Sequence, residues 1–223
     1  MLKGCDWGTH WLLDPPEFTN LQSENETSIA ELAEFVGRTL SGSWHVVGIS
    51  MGGIIAQSLA DQASDRILSL NLCCTNTGGY NNPFGVNPMV QKLWFQKASA
   101  EEDPVLKILR PCFSPKALDS GLLEEYAQHI RLSPNPPSGR ILKLQWQAMT
   151  RFGSQDFLDR LKMPIHLYYG IQDEVVGYSD YHRLKNLIPS ASTQEFCGGH
   201  MFFLESRVSF LKVLHRRIVS NQK

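Results

Sequence analysis

The chain has 223 residues, 42% of them hydrophobic and 19% charged, with a formal net charge of -1. That length can bury a sizeable single core, and the composition excludes a disordered or fibrous chain. A charge so close to zero gives no long-range attraction to nucleic acid or to an anionic membrane, so neither is expected as a partner.

Cys5, Cys73, Cys74, Cys112 and Cys197 are scattered and form no C-x-x-C pair. Neither a metal site nor a disulfide framework is indicated, and a reducing compartment is expected. The N-terminal residues Met1 to Asp6 hold no apolar stretch of signal-peptide length. The most apolar run, about Val46 to Ala56, is too short to span a bilayer. A cytoplasmic protein without an integral membrane segment is the expectation.

In chain order, the first clear element is a helix opened by Ser28-Ile29-Ala30-Glu31, a Ser-x-x-Glu capping pattern. Leu32, Phe35, Val36 and Leu40 follow at helical spacing, and Gly42 lies where a stop is expected. The β-branched run His45-Val46-Val47 predicts a strand closing in Gly48-Ile49-Ser50-Met51-Gly52-Gly53, with a helix over Ile54 to Ala63. Ile67 to Cys74 predicts a second strand, rich in apolar residues as a buried parallel strand should be. From about Asn76 to Met163 the character changes. Asn, Gly and Pro cluster near 78–88 and 134–139, with helices predicted over Met89–Ala100, Leu118–Leu132 and Ile141–Thr150. Alternation resumes with a strand at Ile165–Tyr169, a helix at Tyr178–Leu187, a short strand near Thr193–Phe196 and a last helix at Phe202–Val219. Strands alternating with helices imply a mostly parallel sheet with helices on both faces.

Gly48-Ile49-Ser50-Met51-Gly52 is a G-x-S-x-G sequence, weak alone but set where a strand ends and a helix begins. Such a turn is sharp, and small residues at Gly48 and Gly52 are expected to relieve clashes around Ser50. A serine hydroxyl needs a base. Among seven histidines, His200 alone follows a predicted strand on a glycine-paired loop, Cys197-Gly198-Gly199-His200. His45 lies inside the strand before the elbow and reads as packed; His10, His129, His166, His182 and His215 read as surface or core residues. A histidine base in turn needs a carboxylate to fix its tautomer. The loop after the third strand, Tyr169-Gly170-Ile171-Gln172-Asp173-Glu174, offers Asp173 or its neighbour Glu174. The order Ser, Asp/Glu, His is that of one triad-bearing fold and not of the others.

From the elbow onward the chain resembles the α/β-hydrolase superfamily, in its branch of single-domain esterases, enol-lactonases and carbon–carbon bond hydrolases. The stretches Val47–Gly53, Gly170–Val176 and Gly198–Glu205 are similar to that branch's elbow, acid loop and histidine loop. Phe157–Pro164 is similar to its lead into the acid-bearing strand. The resemblance covers about residues 27 to 220. It implies an α/β-hydrolase fold in one domain over 1–223, with a helical cap inserted at about 76–160. It further implies Asp173, in preference to Glu174, as the acid beside Ser50 and His200. The backbone N–H of Met51 becomes an oxyanion donor.

The implied chemistry is cleavage of a small-molecule ester, lactone or related carbonyl compound through an acyl-enzyme, with no metal or organic cofactor. A carbon–carbon bond hydrolase uses the same residues, and a non-catalytic ligand-binding member of the fold is the reading from another class. A serine at the elbow sets the chain apart from relatives that carry aspartate there. Trp94, Phe95 and Trp146, with Phe84, are expected to line an apolar substrate pocket. The family pattern also has further strands before the elbow and a His-Gly-type loop that gives a second oxyanion amide. Only 49 residues precede Ser50, and Lys3–Gly8 resembles the tail of a later loop. An N-terminally truncated version of the fold is therefore the expectation.

Overall fold

A computed structural model of the chain describes residues 28–78, 87–133 and 139–220. Lys3–Gly8, Cys5, His10 and Phe84 lie outside them. Helix α1 (Ile29–Thr39) starts at the expected place. Ser28 Oγ accepts from the Glu31 N–H, and the Glu31 carboxylate accepts from the Ser28 N–H, closing the capping box. The far end of α1 is held by Arg66, whose guanidinium donates to the Gly37 and Gly42 carbonyls and stacks 3.9 Å from the Trp44 ring centroid.

Strand β1 (Trp44–Ile49), helix α2 (Met51–Gln62), strand β2 (Ile67–Cys73), strand β3 (Ile165–Gly170) and strand β4 (Ser192–Phe196) make a four-stranded parallel sheet in the order β1-β2-β3-β4. Among the described residues β1 ends that sheet, and Val47 on it is 38% exposed. Among the described residues, five α-helices separate β2 from β3: α3 (Pro88–Phe95), α4 (Pro104–Leu109), α5 (Pro115–Asp119), α6 (Leu122–Arg131) and α7 (Gly139–Arg151). Helix α8 (Tyr178–Leu187) joins β3 to β4, and α9 (Phe202–Glu205) and α10 (Arg207–Ser220) close the chain's described part.

The sheet buries its two faces against different elements. Leu70, Leu72, Leu167 and Tyr169 meet α1, α2 and α8 on one side. Cys73, Tyr168 and Phe196 meet Phe202, Phe210 and Leu214 on the other. Each large aliphatic or aromatic side chain so removed from water contributes about 1.5–3 kcal/mol. Parallel strands put every loop that follows a strand at the same edge of the sheet, the carboxyl end, where side chains from distant sequence positions converge.

Some predicted helices differ in extent. The expected Leu118–Leu132 helix is two, because Gly121 takes φ +78° and breaks the ladder between α5 and α6. The last helix breaks at Ser206, and α3, the first helix after β2, stops at Phe95, with Gln96 extended. Helix α4 was not expected from the pattern of apolar residues. Its signal is Asp103-Pro104, an N-cap carboxylate accepting from the Val105 and Leu106 N–H groups, followed by proline at the first helical position.

Candidate active site

The β1–α2 turn forces Ser50 to φ 51° and ψ -121°, a conformation that costs a non-glycine residue about 1–3 kcal/mol. Its neighbours hold it there. The Ser50 N–H donates to the Cys73 carbonyl at 2.9 Å, and Thr75 Oγ1 donates to the Ser50 carbonyl at 2.7 Å. Although Ser50 is the N-cap of α2, its hydroxyl caps no helical amide and so remains available.

The glycines around the elbow divide differently from expectation. A Cβ on Gly48 would lie 2.6 Å from both Gly52 O and Gly53 Cα, so strand and helix touch there. A Cβ on Gly53 would lie 2.6 Å from the Thr75 side chain. At Gly52 a Cβ meets nothing within 4 Å among the described residues, so the second elbow glycine relieves no clash. Gly48 and Gly53 are the pair that the close approach requires.

His200 and Asp173 reach Ser50 from the ends of β4 and β3. His200 Nε2 lies 2.9 Å from Ser50 Oγ, and its Nδ1 lies 2.9 Å from Asp173 Oδ2. The other carboxylate oxygen, Asp173 Oδ1, accepts from the Val175 and Val176 N–H groups at 2.9 and 3.0 Å. The side chains of His200 and Asp173 are 6% and 0% exposed. Glu174 is exposed, which separates the two carboxylates that the loop offers. A hydroxyl, an imidazole and a fixed carboxylate in one row can pass a proton from oxygen to ring nitrogen while the carboxylate holds the ring.

The surroundings keep competing groups neutral. Burial pushes the Cys74 thiol well above its ordinary range, and the Asp173 carboxylate pushes it the same way. Burial and Asp173 likewise raise Cys112 to about 12. Thiolate, the reactive form of cysteine, is thereby suppressed beside the serine. At the first position of α2 the Met51 N–H has no carbonyl four residues earlier within the helix and points out of its positive end.

Trp94, Phe95 and Trp146 meet one another between α3 and α7. The ring centroids of Trp94 and Trp146 are 6.2 Å apart and those of Phe95 and Trp146 are 5.0 Å apart, both edge-to-face. Trp94 and Trp146 pack on the cluster that contains Cys74, Cys112, Val175 and Met201, whereas Phe95 is 58% exposed. Of the other histidines, His45 bonds Ser69 through Nδ1 at 2.8 Å and His166 bonds Ser192 at 2.6 Å.

Three polar residues had no role in the sequence reading. Gln57, fully buried on α2, donates to the Gly53 and Asn76 carbonyls and accepts from Ser154 Oγ at 2.7 Å. Ser154 also donates to the Thr77 carbonyl, next to an antiparallel bridge between Gly78 and Gly153. Glu205 ends α9, and its carboxylate accepts from Ser114 and from the Gly199 N–H. Its signal was a lone carboxylate closing the apolar run Met201-Phe202-Phe203-Leu204.

Known proteins resemble the chain in sequence and in shape. A family model described as the alpha/beta hydrolase fold matches residues 4–206. A monoacylglycerol lipase of Mus musculus is 24% identical over 195 residues, which are 77% of this chain and 56% of the lipase. A poly(3-hydroxyalkanoate) depolymerase of Ectopseudomonas oleovorans is 24% identical over 179 residues, 78% of this chain and 61% of the depolymerase. The chain thus spans little more than half the length of these relatives. Among solved structures, a thermophilic esterase from Thermogutta terrifontis superposes with TM-score 0.67 at 17% identity, over 89% of this chain and 75% of the esterase. A meta-cleavage product hydrolase from Pseudomonas fluorescens IP01 superposes with TM-score 0.65 at 20% identity, over 86% of this chain and 72% of that one. At such identities the structures speak for the fold, which agrees with the family match. The chain belongs to the alpha/beta hydrolase fold family.

Proposed function

We propose that the protein is a serine hydrolase that cleaves a small-molecule ester or lactone, with Ser50 as nucleophile, His200 as general base and Asp173 as its orienting acid. The observation that carries this is the row Ser50 Oγ–His200 Nε2 and His200 Nδ1–Asp173 Oδ2, each step 2.9 Å, assembled from three separate strand ends. In the first half-reaction Ser50 Oγ adds to the carbonyl carbon as its proton passes to His200 Nε2. The Met51 N–H donates to the oxygen that gains charge. Collapse of the tetrahedral species breaks the carbon–oxygen bond, and the leaving alkoxide takes the proton from His200. Water then repeats the sequence on the acyl-serine, releasing the acid and restoring Ser50.

The helices between β2 and β3 serve in this reading as the cap, with Trp94, Phe95 and Trp146 giving the substrate an apolar surface. An ester bond is common to the substrates named for the lipase and the depolymerase, which favours that bond over a carbon–carbon bond.

The test is intact-mass measurement after exposure to a fluorophosphonate, with Ser50→Ala as control. One adduct on the wild type and none on the variant is expected. A folded wild type that takes no adduct refutes the hydrolase reading and leaves a ligand-binding member of the fold, which thermal stabilisation by unconverted esters would reveal.

A further inference from the structure

Gly199 is clasped between two other backbones. A Cβ on it would lie 2.8 Å from Cys112 O and 2.9 Å from Ser114 N, and a Cβ on Gly170 would lie 2.1 Å from Gly199 O. The histidine loop is thus sandwiched between the end of β3 and residues 112–114 of the inserted helical segment. Hydrogen bonds mark both sides: Gln172 N–H donates to Gly198 O at 2.9 Å, and Met201 N–H donates to Cys112 O at 2.9 Å. Gly198, at φ +139°, takes a conformation that other residues rarely adopt, so the loop has no intrinsic preference for its shape and depends on these partners.

One carboxylate joins the two sides. Glu205 Oε1 accepts from the Gly199 N–H at 3.0 Å and from the Ser114 N–H at 3.1 Å, while Oε2 accepts from Ser114 Oγ. Ser114 is buried and is also the N-cap of α5, its Oγ accepting from the Ala117 N–H. The amide that precedes His200 and the start of a helix in the inserted segment are therefore fixed by the same side chain. A charged acceptor taking three donors is both stronger and more directional than neutral bonds would be.

We infer that Glu205 is a positioning residue, a latch that sets His200 by binding Gly199 and Ser114 together, so that the seating of the inserted helices is felt at the base. This rests on the reading of His200 as base to Ser50. Glu205 touches neither Ser50 nor His200 through any bond described above, and acts only through the loop backbone.

The test uses the full chain with Glu205→Gln, Glu205→Asp and Glu205→Ala, each checked for folding. Two quantities are read: the rate of fluorophosphonate adduct formation, and the far-downfield proton resonance of the imidazole N–H bonded to Asp173. Glutamine keeps an oxygen for the two backbone amides and an NH2 that donates to Ser114 Oγ, in neutral and weaker bonds, so it should retain the resonance and most of the rate. Alanine frees the loop and should slow labelling by about 10²-fold, the cost of a displacement near 1 Å, with loss of the resonance. Aspartate folds with the charge kept but falls one methylene short, and should slow labelling on the order of tenfold. Folded alanine or aspartate variants that label at the wild-type rate with the resonance intact overturn the inference. A wild type that takes no adduct yet loses its resonance only in the alanine variant supports the latch while refuting the hydrolase reading.

Discussion

Replacing the elbow glycines one at a time by alanine separates packing from pattern. At Gly48 the new methyl would stand 2.6 Å from Gly52 O and Gly53 Cα and 2.8 Å from the Ala56 Cβ, where ordinary contact begins at 3.4 Å. Two of these three atoms are backbone of α2 and cannot rotate away, so strand and helix must part by most of an ångström. Overpacking of this kind costs about 1–3 kcal/mol, and the rigid partners put Gly48→Ala near 3. At Gly52 the methyl meets nothing within 4 Å among the described residues and the backbone carries no positive φ. Gly52→Ala should therefore stabilise by about 0.4–1 kcal/mol, because alanine has less freedom to lose on folding. Urea unfolding reads both. With a slope of about 2 kcal/mol per molar, Gly48→Ala lowers the midpoint by about 1.5 M and Gly52→Ala raises it by a few tenths. A neutral Gly48→Ala, or equal losses at the two positions, would refute the contact between β1 and α2 as described.

Three further outcomes follow from the geometry. Asp173→Asn keeps the side chain's shape but favours the wrong imidazole tautomer, so fluorophosphonate labelling should fall by about 10⁴-fold in a folded sample; a loss below tenfold would remove Asp173 from the proposed role. Burial and Arg217 hold His166 down at about 4, below its ordinary 6.5, so the unfolded chain binds a proton that the folded one refuses. The stability tied to His166 is complete above pH 6.5 and lost as pH falls toward 4, and urea titrations across that window should show a shallower decline in His166→Gln. Ser28→Ala opens the capping box and should cost about 1 kcal/mol at neutral pH. Glu31 is held below its ordinary value by the Ser28 bonds, so its share of that stability is present above pH 4.5 and lost as pH falls, which shrinks the difference between the two proteins.

What the sequence disclosed followed from local rules. The capping box at Ser28 and Glu31, the β-branched run before Ser50 and the apolar strand at Ile67 each carry their own signal, and the structure has all three. Ser50 and His200 were legible because loops after parallel strands share one edge of the sheet. Asp173 needed a resemblance to separate it from Glu174, since periodicity cannot say which of two adjacent carboxylates turns inward. Gln57, Ser154 and Glu205 stayed silent for another reason. Each has a partner that lies 19, 97 or 91 residues away, and no local pattern encodes a bond across such separations. The clash at Gly53 was hidden likewise, because Thr75 lies in the loop after the next strand.

The bridge between Gly78 and Gly153, clasped by Gln57 and Ser154, brings the start and finish of a long excursion to one point on the elbow helix. The entropy of closing that loop is met at a single junction and grows only as the logarithm of what lies inside it. The parts of the stretch that do not hold the histidine loop can therefore lengthen or shorten while the sheet sees the same two ends, whereas residues 112–114 must stay to bind Gly199 and Met201. Diversification of such a chain has a natural seam, and a graft between residues 78 and 153 that keeps Cys112 to Ser114 should leave the strands in register.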